Sequence, residues 1–195
     1  SHPSVIKTIG YSLQDFRAKD RFVVISEFNK NGSLSNILKL ERTNKQPSTW
    51  NDTKKLINVY GIASGMSYLH KQGIIHTNLN LESILEIKNF YPKINNFGFL
   101  HFSRKIENSD INLTNAQDKN IIYIAPEITE EGIYDSSCDV YSFGVILYNI
   151  FTDPRKKEKI KNSFAFLNIV HNHPEKLFDD SILPKCYTKL ILRCL

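Results

Sequence analysis

Glycine is scarce. The 195-residue chain has eight, at positions 10, 32, 61, 65, 73, 98, 132 and 144. They form neither GxGxxG nor GxxxxGK[ST], so no glycine loop of the phosphate-cradling kind is present. Cysteine is scarcer: Cys138, Cys186 and Cys194, with no CxxC. An odd, sparse set excludes a disulfide framework and a zinc site. The thiols read as reduced, which points to a cytoplasmic setting. No apolar run approaches the ~20 residues of a membrane helix. The richest, 140–151, is short and carries Ser142 and Asn149. The start, SHPSVIKTIG, lacks the layout of a signal peptide.

Charge of one sign is also weakly represented. Lys+Arg total 25 against 20 Asp+Glu, giving +5 and a pI near 9.0. The densest basic patch, 155–161, is interrupted by Glu158 and has no interleaved aromatics. It reads as a solvated loop, so neither a nucleic-acid nor a membrane partner is expected.

What is there is an ordinary globular composition, 41% hydrophobic and 23% charged, which excludes a disordered chain. Asn-x-Ser/Thr sequons at Asn31, Asn51 and Asn112 read as chance in an Asn-rich chain. Apolar β-branched runs at 5–9 and 22–26 predict two strands with a polar segment between them. Asn31-Gly32 signals a turn, and Ser33 is an expected N-cap for a short helix through Leu34, Ile37, Leu38 and Leu40. A long helix is predicted over 52–72, with Leu56, Val59, Tyr60, Ala63 and Met66 as its buried face. Its Gly61 and Gly65 predict close packing, and Gly73 a C-terminal cap. Ile84-Leu85 and Lys93-Ile94 read as strand pieces, and 101–120 as a polar loop. Residues 140–151 predict a helix buried on every side, ended by Asp153-Pro154, with further helices over 162–171 and 184–195.

Four motifs then fall in order: HTNLNLESIL (76–85), NFG (96–98), APE (125–127) and DVYSFG (139–144). They resemble the catalytic loop, the magnesium-binding DFG, the APE motif and the central-helix aspartate of protein kinases. HPSVIKTIGYSL resembles a small-lobe strand, VVISEFNKNGSL the strand and hinge that hold adenine, and YGIASGMSYLHKQGIIH the long helix before the catalytic loop. The style is closest to the tyrosine-kinase-like group of Ser/Thr kinases. The implied fold class is α+β: a mostly helical large lobe over 30–195 and a remnant of the small β lobe and hinge over 1–29. On this resemblance the glycine loop and the ATP-anchoring lysine would precede Ser1. The arginine that pairs with the APE glutamate would follow Leu195, leaving Glu127 without its partner.

The resemblance also assigns roles that these residues cannot fill. Kinases use a base aspartate, a lysine on the γ-phosphate, and an asparagine and the DFG aspartate on two magnesium ions. Asn78 stands at the base position. A neutral amide takes no proton at neutral pH, and acid–base help of this kind is worth roughly 10²–10⁴ in rate. Asn80 stands in place of the lysine, Ser83 at one metal position and Asn96 at the other, although magnesium prefers hard anionic oxygens. Thr77 replaces an arginine that pairs with a phosphorylated activation loop, so switching through Ser103, Ser109 or Thr114 is not expected. His76, Leu79, Glu82, Leu85, Phe97, Gly98 and Asp139 keep the family pattern, with structural roles expected for His76, Phe97 and Asp139.

The hinge survives as Glu27-Phe28-Asn29. Its backbone implies adenine contacts at Glu27 and Asn29, with Ser26 as a small gatekeeper and Leu85 beneath the base. The expectation is a pseudokinase acting as a regulatory or scaffolding module through protein partners. It would have no required cofactor, and any ATP binding would depend weakly or not at all on magnesium. The alternatives are a divergent Ser/Thr kinase of weak activity and a truncated product that exposes apolar surface.

Overall fold

In a computed structural model the described residues are 1–97, 120–130, 135–152, 163–178 and 183–195. Gly98, all but the last residue of the expected 101–120 loop, the Ser103, Ser109 and Thr114 positions, the 155–161 patch and Asp153-Pro154 lie outside them. The described part is mixed helix and sheet, with two small two-stranded sheets and mostly helical remaining elements.

The first sheet is an antiparallel hairpin of β1 (Thr8–Gln14) and β2 (Asp20–Ser26). Its turn is held by Asp15, whose Oδ1 accepts the backbone N–H groups of Arg17 and Lys19 at 2.8 and 3.1 Å. The first strand was expected over 5–9 and lies later. The alternating Ile9, Tyr11 and Leu13 extend it on one exposed face. Val5 instead leaves the hairpin for the core and forms a parallel bridge with Ile94. Ile94 accepts the N–H of Ile6 at 2.9 Å and donates its own to Ser4 at 2.8 Å. The second sheet, β3 (Ile84–Glu86) with β4 (Pro92–Ile94), falls where the strand pieces were expected.

Helix α1 spans Leu34–Arg42. The expected Ser33 cap is not made by its hydroxyl. The adjoining backbone is satisfied across the chain instead, with the Ser35 N–H donating to the Leu81 carbonyl at 3.1 Å. Helix α2 (Asp52–Lys71) is capped by Asn51, whose side chain accepts the Lys54 N–H. Gly73 adopts φ +71 just beyond its end, as a C-terminal glycine should.

The buried face of α2 departs from expectation. Asn58, Gly61, Ile62, Gly65, Met66 and Leu69 point inward, while Leu56 and Tyr60 lie outside, Tyr60 being 77% exposed. A side-chain count by hydrophobicity favours the larger residues. The helix turns its small residues inward because β4 and the chain's start sit directly on its backbone. A Cβ on Gly61 would stand 2.5 Å from the Pro92 ring, and one on Gly65 2.7 Å from Ile94 Cδ1 and 3.0 Å from the Ser4 carbonyl.

Helix α3 is short (Pro126–Glu130), and α4 (Ser136–Phe151) runs through the centre. Its Val145, Ile146, Leu147 and Ile150 are almost fully buried, as its apolar circumference predicts, with Val140 the exposed exception. Helices α5 (Ser163–Asn172) and α6 (Lys185–Cys194) follow near the expected places. One core joins α1, α2, β3, β4 and α4.

The α2–β4 contact is directly testable. Gly61→Ala gains up to ~1 kcal/mol of helix propensity. It also drives a methyl into a proline ring fixed in a strand, so a net loss of about 1–2 kcal/mol is expected. Urea unfolding of the two proteins checks it.

Candidate active site

The site is organised by one carboxylate. Asp139 lies in the first turn of α4 and is 2% exposed. Its Oδ2 accepts the His76 backbone N–H and the His70 Nε2–H, both at 2.8 Å, and its Oδ1 accepts the Thr77 N–H at 2.9 Å. The central helix thereby grips two residues of the loop, and the end of α2 steadies the carboxylate that does so. The expected bracing role of Asp139 is what the geometry shows. His70, the third partner, carries no mark in the sequence, since nothing in its local pattern links it to position 139.

The grip holds a strained backbone. Thr77 has φ +66, a left-handed conformation uncommon for a β-branched residue and costing on the order of 1–3 kcal/mol. Its hydroxyl donates to the His76 carbonyl at 2.6 Å. His76 itself is fully buried. Burial lowers its pKa below the usual histidine value, so it is neutral. The bonds fix its tautomer: Nδ1 accepts the Asn78 N–H at 3.3 Å, and Nε2–H donates to the Asn95 carbonyl at 3.0 Å. The ring joins the 76–83 loop to the segment that carries Asn96, which is structural work, as expected.

From Asn78 to Ser83 the loop closes on itself. The Asn80 amide oxygen accepts the N–H groups of Glu82 and Ser83 at 2.8 and 3.1 Å. The Asn80 Nδ2 donates to the carbonyl and side-chain oxygens of Asn78, both at 3.0 Å. The Ser83 hydroxyl accepts the Asn80 N–H at 3.0 Å and donates to the Asn80 carbonyl at 2.8 Å. Asn80 and Ser83 are buried, whereas Asn78 is exposed. Asn96 is exposed too, at φ +60, a region that asparagine tolerates better than most residues.

The hinge lies at the end of β2. Ser26 is half-buried and pairs with Thr8 in the hairpin. Glu27 accepts the Lys7 N–H at 2.9 Å and forms an ion pair with Lys93 of β4. The Lys93 ammonium holds the Glu27 carboxyl below its ordinary pKa. This clamp between hinge and β4 was not foreseen from the sequence. Phe28 is exposed, and Asn29 turns its side-chain N–H onto the Gly32 carbonyl at 2.8 Å. Among the described residues neither the Glu27 carbonyl nor the Asn29 backbone N–H is taken up by a hydrogen bond. The half-buried Leu85 is tied to the segment after the hinge by a Ser33–Leu85 bridge. Glu127, expected to lack its arginine, accepts the Ser137 hydroxyl at 3.1 Å, because the start of α4 folds against it.

Compared with known families, the full span 1–195 matches the model for protein tyrosine and serine/threonine kinases. The chain belongs to the protein kinase family. Among its curated relatives is one from Arabidopsis thaliana named as a probable serine/threonine-protein kinase, PBL20. It is 33% identical over 83% of this chain and 39% of its own length. A leucine-rich repeat receptor-like protein kinase of the same plant, whose inactivity is given in its name as probable, is 32% identical over 86% of this chain and 16% of its own. Human TNNI3K, a serine/threonine-protein kinase, is 29% identical over 99% of this chain and 22% of its own. The chain thus spans less than two-fifths of the length of each of these relatives.

Kinases in general use ATP with magnesium. The hinge backbone fits a purine base, since one acceptor and one donor are open at Glu27 and Asn29. Magnesium fits less well. The Ser83 oxygen is buried and spent on Asn80, and Asn96 offers a neutral amide. Among the described residues no group of three or more His, Cys, Asp or Glu could hold a metal ion.

Removing the Asp139 carboxylate leaves the His76 and Thr77 N–H groups without their acceptor. Asp139→Ala is expected to cost about 2–5 kcal/mol in denaturant unfolding. Asn78→Ala, at an exposed position, should change stability by less than ~1 kcal/mol.

Proposed function

We propose that this kinase domain is a pseudokinase, a regulatory or scaffolding module in a signalling protein that works by binding protein partners rather than transferring phosphate. The observation that carries this reading is the closed loop from Asn78 to Ser83. In an active site the position two residues after the base delivers a cation to the γ-phosphate, and the position five after it holds a metal. Here Asn80 and Ser83 are buried and spend their polar atoms on each other and on the loop backbone. The loop supplies no cation and no metal ligand, and Asn78 supplies no base. Asp139 and His76 still hold it in shape.

We place residues 1–29 as the small-lobe remnant with the hinge and 30–195 as the large lobe, in a cytoplasmic setting. Among the described residues no helix is long and apolar enough to cross a membrane. The open Glu27 and Asn29 backbone groups favour weak, magnesium-independent nucleotide binding as a second property of the same site.

Two measurements on the protein test the reading. A sensitive phosphotransfer assay with ATP and magnesium is expected to show no turnover above buffer. Magnesium-dependent turnover that Asn78→Ala abolishes would overturn the proposal and favour a divergent Ser/Thr kinase. In thermal unfolding, any stabilisation by ATP should be equal with and without magnesium, because ligand bound to the native state raises its melting point.

A further inference from the structure

The strongest unexplained feature lies behind the hinge, at the end of β3. Glu86 is fully buried, and neither carboxyl oxygen has a hydrogen-bond partner. Beside it stands Asn58 of α2, also fully buried, whose Oδ1 is equally unpartnered. Asn58 has no hydrogen left to give. Its Nδ2 donates to the Lys54 carbonyl at 3.1 Å and to the Phe90 carbonyl at 3.0 Å. Those two bonds also fix the amide's orientation, because flipping it would set oxygen against two carbonyls. Both groups are therefore buried acceptors without a donor, and a proton on the carboxyl would supply one.

No cation answers the carboxyl. Lys55 of α2 pairs with Glu41 at 2.6 Å, and Lys54 lies over the Tyr91 ring at 5.3 Å. Lys93 of β4 is held by Glu27. Lys88, in the turn between the strands, and Lys30, beyond the hinge, are exposed. An ionised Glu86 would be a buried charge with neither counter-ion nor donor, an arrangement that native cores avoid.

We propose that Glu86 is carried as the neutral acid, donating its O–H to Asn58 Oδ1, and that loss of this proton loosens the junction of α2, β3 and the hinge-following segment, a one-proton switch inside the lobe. The connections are on the same residues. The Glu86 N–H donates to the Gly32 carbonyl at 2.9 Å, which also receives the Asn29 side chain of the hinge. Through its bond from Asn58, the Phe90 carbonyl anchors a residue held at φ +57.

Burial raises the Glu86 pKa from 4.5 to about 7. The folded value lies above the unfolded one, so folding takes up a proton. The stability contributed by the acid form is whole below about pH 4.5, falls as pH rises, and is lost above about pH 7. Each pKa unit is tenfold in the unfolding equilibrium, so the full effect is roughly 10²-fold.

The test compares the protein with Glu86→Gln, in which an amide N–H replaces the acid proton and does not titrate. Unfolding equilibria are measured from pH 4.5 to 8, and all other groups cancel in the ratio. The ratio should shift roughly 10²-fold in favour of the variant across that range. A ratio constant within threefold overturns the proposal. Should the variant not fold, a ¹³C titration of the Glu86 carboxyl in the unaltered protein decides. A midpoint near 7 supports the buried acid, and one in the ordinary carboxylate range contradicts it. Exchange protection of the Glu86 amide should fall with the same midpoint; protection that ignores the titration overturns the switch.

Discussion

The hydrogen bonds of one buried carboxylate decide the shape of this lobe's working end. Asp139 takes the backbone N–H groups of His76 and Thr77 together with the His70 ring, and by doing so holds Thr77 in a conformation it would not choose alone. A charged acceptor for two buried N–H groups is worth more than a neutral one, and losing it strands both donors. Everything downstream inherits that placement. His76 can then reach the Asn95 carbonyl, and the 78–83 loop can close through Asn80 and Ser83. The chain keeps the groups that brace this loop.

The loop's own bonding explains how it tolerates its substitutions. A kinase loop built on charged catalytic groups leaves them open to substrate and metal. Here the replacements are small and amphiprotic, and they satisfy one another. Asn80 uses its oxygen for two N–H groups and its nitrogen for Asn78, and Ser83 both donates to and accepts from Asn80. Such a closed set is self-consistent, since a buried polar network stabilises only when every member is satisfied. It leaves no side-chain hydrogen of Asn80 or Ser83 over for a phosphate.

Much of this was legible in the sequence, for reasons that differ by element. The motifs around His76, Asn96 and Asp139 fixed the fold class because they carry residue types at set spacings. Strands β3 and β4 and helix α4 were readable from apolar runs. The inward face of α2 was not. Hydrophobicity favoured Leu56 and Tyr60, whereas the close approach of Pro92, Ile94 and Ser4 required Gly61 and Gly65 there. The first strand was misplaced because Val5 and Ile6, apolar and β-branched, serve the core beside Ile94 rather than the hairpin. Of the site, the altered positions were visible, but their mutual bonding was not. Nor were His70, the Glu27–Lys93 clamp or the Glu86–Asn58 pair, since each depends on residues far apart in the chain meeting across elements.

The central claim is that the scaffold survives without a metal-holding, charge-bearing site. Paramagnetic broadening tests it most directly. With manganese standing in for magnesium and ATP present, amide signals of the ¹⁵N-labelled protein are followed at Asn78, Ser83 and Asn96. Those of Thr77 and Asp139 report on the scaffold. The account predicts dispersed, folded signals for Thr77 and Asp139 and no selective broadening at the other three. Broadening centred on Ser83 and Asn96 at low manganese would contradict it, because a metal would then be held where Ser83 is spent on Asn80 and Asn96 offers only a neutral amide.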